Sequence, residues 1–217
     1  MPPTAAVLDV DGTLVDTNYQ HALAWFRAFR AERIVLPMWR LHRHVGMGGD
    51  KFVAAVAGDE VEDRLGDRLR DSWEHQFDEL IDETEPLAGA RELIQELKQR
   101  GHSTVLASSA IQRHVDDFLD KLDARDLADG WTTKDDVEAS KPDPDLVEAA
   151  LAKANTREAV MIGDTPWDVK AAAKAGIETI CVVTGGFSKQ ELEEVGAVGV
   201  YESLVELRED LDRTPLR

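Results

Sequence analysis

The chain has one cysteine, Cys181, so no disulfide framework can form within it. That thiol falls in the apolar run 179–183 and reads as a small core residue. No apolar run approaches the roughly 20 residues that span a bilayer. No basic segment followed by an apolar one opens the sequence, so neither a membrane span nor a secretory signal is expected. These absences point to a reducing cytoplasm. Positive charge is also scarce: 25 Lys plus Arg stand against 43 Asp plus Glu, a formal net charge of −18. Such a surface repels nucleic acid and anionic membrane. It also repels a phosphorylated substrate, unless a metal and local basic groups reverse the sign inside a site. A salty cytoplasm is a further reading of the acidic load. Internal repeats and low-complexity tracts are missing too. What remains is 217 residues, 43% of them hydrophobic, enough for one sizeable core or a core plus a small second domain.

The stretch 5–17 organises the rest. Four small apolar residues, 5–8, run without polar alternation into Asp9-Val10-Asp11-Gly12-Thr13. An apolar run of this kind reads as a buried parallel strand. Side chains along a strand repeat every second residue, so Asp9 and Asp11 should leave the strand end on one side. Two carboxylates so close repel one another unless a cation or a shared proton intervenes. A solvated turn rich in Asp and Gly is the alternative reading.

Beyond Asp16 and Thr17, either of which could cap a helix, residues 19–33 read as a helix with Leu23, Phe26 and Phe29 on its apolar face. Residues 38–45 read as a second helix, ended by the glycine-rich loop 46–49. Asp50 is expected to cap a third helix through about residue 57, and a long acidic helix covers roughly 60–82. No strand is evident between 16 and 84. Then 88–100 is amphipathic, with Leu93, Ile94 and Leu97 as its buried stripe. Strands are predicted at 103–107, 130–133, 159–162, 177–183 and 199–201. Helices are predicted at 111–122, at 143–154 with Asp143 as its cap, at 166–175 and at the C-terminal end. Alternating strands and helices argue an α/β fold, a Rossmann-like parallel sheet with helices on both faces and right-handed crossovers. A helical block is inserted after the first strand. The core is therefore assigned to 1–16 and 85–217, and the helical insertion to 17–84.

In open α/β sheets, ligands bind beyond the carboxyl ends of the strands. Three predicted strands end in candidate chemistry: Asp9 with Asp11, Ser108, and Asp164. Lys141 lies on a loop before a helix. Taken together, Asp9-Val10-Asp11-Gly12-Thr13, Leu106-Ala107-Ser108, Lys141-Pro142, and Gly163-Asp164 followed by Asp168 resemble the four ordered motifs of the haloacid dehalogenase-like hydrolase superfamily. The helical block falls where the C1 cap of that superfamily is inserted.

The resemblance implies roles. Asp9 would attack phosphorus and form an acyl phosphate. Asp11 would protonate the leaving oxygen and later deprotonate water. Mg²⁺ would join Asp9, the main-chain carbonyl of Asp11 and Asp164 to a phosphate oxygen, with Asp168 in the metal site or completing a helix cap after Thr165. Ser108 would hydrogen-bond the phosphoryl group, and Lys141 would pair with it and with Asp9. Backbone N–H groups after Asp11, beginning with Gly12, would add donors, as would Ser109. In the helical block, His21, Gly48 and Lys51 are candidates for substrate contact, while Trp25 and Trp73 read as packing residues.

Departures from the family narrow the expectation. Family dehalogenases lack the second aspartate, which is present here as Asp11. Sugar phosphomutases carry an arginine in the cap loop and a lysine after the second motif. Here those places hold Gly48-Gly49-Asp50 and Ala110-Ile111. The resemblance is therefore to phosphoglycolate phosphatase-like and beta-phosphoglucomutase-like members. It implies a Mg²⁺-dependent phosphatase for a small phosphorylated metabolite, acting as monomer or homodimer. A sugar phosphomutase is the alternative enzyme. A non-catalytic phosphate-ligand binding or regulatory protein is the alternative of another class. The connections 15–17 and 83–86 are the expected hinges of the cap.

Overall fold

Six short runs, most of them strongly apolar, become one sheet. They are β1 (Ala5–Asp9), β2 (Ser103–Ala107), β3 (Gly130–Trp131), β4 (Ala159–Gly163), β5 (Glu178–Val182) and β6 (Gly199–Tyr201). Every pairing is parallel, in the order β3-β2-β1-β4-β5-β6. The computed structural model describes residues 5–217; residues 1–4 of the segment assigned to the core lie outside the described residues. β1 is fully buried along its length, as its unbroken apolar run predicts for an inner parallel strand.

The register decides where the strand ends fall. Asp9 pairs with Ala107 of β2, and Leu8 with Ile162 of β4. The residues that follow all three strands therefore leave the sheet at the same edge. Alternation then divides the faces. Val7, Val105, Ala107 and Met161 pack against α7 (Asp145–Ala154) and α8 (Pro166–Ala175). Leu106 points the other way and lines a small apolar cavity with Val115, Phe118 and Leu119 of α6 (Gln112–Lys121). α5 (Ala90–Gln99) buries Leu93, Ile94 and Leu97, the predicted stripe. α9 (Lys189–Glu194) packs Leu192 against Val169 of α8, and α10 (Leu204–Glu209) lies against α5.

The chain divides into two compact units, Met1–Asp16 with Pro86–Arg217, and Thr17–Glu85. The second is all-helical among its named elements: α1 (Asn18–Ala31), α2 (Met38–His42), α3 (Gly49–Ala57) and α4 (Asp59–Asp78), followed by a 3₁₀ turn at Ile81–Glu83. Its core is Trp25, Phe29, Leu41, Phe52, Val53 and Leu69, with Trp25 stacked on Phe52 at 4.4 Å between centroids. No helix among the described residues is long and apolar enough to cross a membrane.

Several local expectations differ from the structure. The inward face of α1 is Ala22, Trp25, Ala28 and Phe29, whereas Leu23 and Phe26 are half-buried and Phe26 lies under the Arg30 guanidinium at 5.0 Å. Thr17 holds the N-cap position of α1 without a side-chain capping bond. Gly48, not Asp50, is the N-cap of α3; Asp50 sits in the first turn, where its charge complements the helix dipole. Asp143 does not cap α7, which follows Pro144. Its carboxylate instead accepts Lys174 Nζ at 2.8 Å, while Asp145 accepts the Ala139 N–H at 3.2 Å.

Candidate active site

The sheet's carboxyl edge gathers an acidic cluster around one lysine. Asp9 ends β1 and is 2% exposed. Lys141 Nζ donates to Asp9 Oδ1 at 2.6 Å and to Asp168 Oδ1 at 2.7 Å. Asp164 follows β4 directly and is wholly buried, as is Asp168. The Thr13 hydroxyl lies 3.0 Å from Asp9 Oδ2 and 3.0 Å from Asp164 Oδ1, so one proton is shared between two acceptors. One oxygen from each of Asp9, Asp164 and Asp168 lies within 4.8 Å of the others, a spacing that can hold a metal ion.

Local chemistry places each of these groups. α8 begins with a reciprocal cap: Thr165 is the N-cap, Pro166 opens the helix, and Asp168 answers from the third position. Asp168 Oδ2 accepts the Thr165 hydroxyl at 2.6 Å, the Thr165 N–H at 3.0 Å and the Asp164 N–H at 3.3 Å. Asp168 thus caps the helix and holds Lys141 at once. Gly163 makes this possible, because a Cβ there would lie 2.6 Å from the Asp168 Cβ.

Asp11 stands beside this cluster and is only half-buried. Its Oδ2 accepts the Ser108 hydroxyl at 3.3 Å, and Ser108 Oγ accepts the Ala110 N–H at 3.1 Å. Thr132 fixes Ser108 from below: its Oγ1 accepts the Ser108 N–H at 3.0 Å and donates to the Ser108 carbonyl at 2.9 Å. Ser109 is half-buried next in the chain. Gly12 has φ of +84°, which turns the chain away from Asp11. Its N–H is not a spare donor, since it is given to Val15 O at 2.8 Å, and the Thr13 N–H goes to Val10 O at 3.3 Å.

The charge balance is lopsided. Burial raises Asp9 well above the ordinary carboxylate range; Lys141 opposes that, and Asp168, Asp164 and Asp11 reinforce it. Burial lowers Lys141, but Asp168 and Asp9 outweigh it and the net shift is upward, so the ammonium is held charged. Four carboxylates face one ammonium. An all-oxygen donor set with surplus negative charge suits a hard divalent cation, which lowers the cost of ionising its ligands.

The structure brings together Asp9, Asp11, Ser108, Lys141, Asp164 and Asp168, with Gly12 and Ser109 adjoining. The other three candidates belong to the helical unit. His21 stacks on Phe77 at 4.0 Å and on Trp73 at 5.5 Å. Gly48 accepts the N–H groups of Lys51 and Phe52 at 3.0 Å each, and Lys51 lies in the first turn of α3. Thr13 and Thr132 have no role in the sequence analysis, whereas the cap expected at Thr165 is present. Thr132 directly follows β3, a signal that could have found it, while Thr13 lies four residues past the end of β1, inside the first motif.

Known proteins resemble the chain along most of its length. A family model described as haloacid dehalogenase-like hydrolase matches residues 6–182. A phosphorylated carbohydrates phosphatase of Thermotoga maritima is 30% identical, over 90% of this chain and 93% of its own. A validoxylamine A 7'-phosphate phosphatase of Streptomyces hygroscopicus subsp. limoneus is 28% identical, over 82% and 85%. Among solved structures, a hydrolase from Pseudomonas syringae superposes with a TM-score of 0.90 at 34% identity, covering 97% of this chain and 98% of that one.

Proposed function

Because the chain belongs to the haloacid dehalogenase-like hydrolase family, we propose that it is a Mg²⁺-dependent phosphatase acting on a small phosphomonoester through an aspartyl phosphate. The observation that carries this reading is the buried Asp9–Lys141 pair at the end of the central strand, with Asp11 and Ser108 beside it. An Asp9 carboxylate oxygen attacks phosphorus, and the bond from phosphorus to the ester oxygen breaks. Asp11 gives its proton to that leaving oxygen. It then takes a proton from water, whose oxygen attacks phosphorus and releases Asp9 and inorganic phosphate. Lys141 pulls Asp9 toward its ionised form and orients it, and Ser108 donates to a phosphoryl oxygen.

Asp9, the main-chain carbonyl of Asp11 and Asp164 would hold Mg²⁺, which when bound supplies positive charge at the phosphoryl oxygens. Asp168 serves that site by fixing Lys141. The two relatives named for phosphorylated carbohydrates and for a 7'-phosphate support a small phosphate ester as substrate. Choice among such esters is assigned to the helical segment 17–84, with His21, Gly48 and Lys51 as the residues to vary. The test is phosphate release from an aryl phosphate and from a panel of sugar phosphates, phosphoglycolate and nucleotides, with and without Mg²⁺. Asp9→Asn should abolish release; turnover retained by that variant refutes the mechanism.

A further inference from the structure

β5 carries none of the four motifs, yet the turn that follows it touches two of them. Val183–Gly185 forms a single 3₁₀ turn. Thr184 Oγ1 donates to the Gly12 carbonyl at 2.6 Å, across more than 170 residues of sequence. The next residue, Gly185, is buried against Asp164: a Cβ there would lie 2.6 Å from the Asp164 carbonyl oxygen and would also strike its carboxylate. One turn therefore meets both the loop after β1 and the loop after β4.

The consequence follows from peptide geometry. The Asp11 carbonyl and the Gly12 N–H share one planar unit and point in opposite directions. Val15 O fixes that unit by accepting the Gly12 N–H at 2.8 Å. The following unit contains the Gly12 carbonyl, which Thr184 holds. Gly12 joins the two units and is the residue with the greatest freedom to rotate between them. At its other end that second unit has only the long bond from the Thr13 N–H to Val10 O, at 3.3 Å, so removing Thr184 leaves Gly12 a looser joint and the Asp11 carbonyl less firmly aimed. Gly185 meanwhile leaves Asp164 the space to stand where it does.

We propose that Thr184 and Gly185 are positioning residues, a brace that sets the Asp11 carbonyl and the Asp164 carboxylate in register for a divalent cation. This rests on the function proposed above, and its test is chosen to stand apart from turnover. Mg²⁺ binding is measured by calorimetry on wild type, Thr184→Val, Thr184→Ser and Gly185→Ala, with aryl phosphate hydrolysis measured in parallel. Groups that orient metal ligands are worth about 10–100-fold in affinity or activity, so Thr184→Val should bind Mg²⁺ about 10-fold more weakly. Its kcat should fall by a similar factor while KM for the ester stays put, because the Thr184 hydroxyl is committed to the Gly12 carbonyl. Thr184→Ser keeps the donor and should restore both. Gly185→Ala should weaken Mg²⁺ binding at least as much. Should Gly185→Ala fail to fold, the isosteric Thr184→Val still decides the matter, with circular dichroism confirming its fold. Mg²⁺ binding by Thr184→Val equal to wild type overturns the brace, whatever the turnover. A wild type that binds Mg²⁺ but hydrolyses nothing overturns the proposed function and leaves the brace to be judged on binding alone.

Discussion

Replacing Lys141 by methionine keeps most of the side chain's length and removes its charge. The ammonium bridges Asp9 and Asp168 at 2.6 and 2.7 Å, on a side chain only 6% exposed, so solvent can do little to screen the loss. Deleting one partner of a buried pair strands the other, at a cost of about 3–5 kcal/mol. Here two carboxylates are stranded, and protonation of Asp9 relieves part of the cost. Burial already lifts Asp9 well above the ordinary range against the pull of Lys141, and without that pull it rises further. The folded variant then binds a proton that the unfolded chain has shed. Stabilisation from that proton is complete below the unfolded-state pKa and is lost as pH rises through the folded-state value. Lys141→Met should therefore be weakest at neutral to alkaline pH and recover on acidification. With two compact units, a single global unfolding free energy is not well defined. The measurement is hydrogen exchange of peptides covering β1 and β4, with chelator present, between pH 5 and 8. A loss of about 3–5 kcal/mol in their opening free energy is expected near pH 7.5. Adding Asp168→Asn should return part of it, because one stranded charge is gone. A loss below about 1 kcal/mol, the worth of an exposed ion pair, refutes the reasoning.

Two further outcomes follow from features away from the cluster. Trp25→Ala empties the centre of the helical unit, where Trp25 stacks on Phe52 at 4.4 Å and on Trp73 at 5.3 Å. It should cost that unit about 3–5 kcal/mol, seen as faster exchange in α1 and α3; unchanged protection there would sink the packing argument. At the sheet's other edge, burial pushes Asp129 up, but the Thr104 N–H at 2.9 Å and Lys98 outweigh it and hold the carboxyl below the ordinary range. Its contribution is present above the unfolded-state pKa and lost as pH falls through the lower folded-state value. The Thr104 amide should lose protection on acidification in wild type and show no such step in Asp129→Asn.

Regular periodicity made much of the fold legible. β2, β6 and α8 begin and end at the residues their patterns predict, and the α5 stripe is buried as read. Weak or short patterns did not carry through. α9 has six residues with only Leu192 buried, too little for a helical period to show. β3 is two residues long, shorter than the predicted 130–133. α1 misleads because alanines and Trp25 take the inner face while larger aliphatic and aromatic neighbours are left half-buried. In the site, the charged groups were legible because each ends a strand or precedes a helix within a recognisable motif. Thr13, Thr132 and Thr184 were not, because a threonine after a strand is common and its partners lie far away in sequence. Asp168 was readable as a cap or as a site residue. The structure shows one carboxylate capping α8 with one oxygen and gripping Lys141 with the other.

The strand order also has a consequence for how the molecule comes into being. β1 leaves the ribosome first, yet Ala5 pairs with Ser103 on one side and with Ala159 on the other. At about 5–20 residues per second, its first neighbour emerges roughly 5–20 s later. During that interval the most completely buried strand in the sheet has no edge to join, and only the helical unit, whose contacts are local, can fold. Truncated chains ending near residue 95 should expose β1 to chaperones and to one another, whereas chains extended past β4 should not. The same non-local pairing that sets the carboxylates side by side makes the nascent chain vulnerable until most of it has been made.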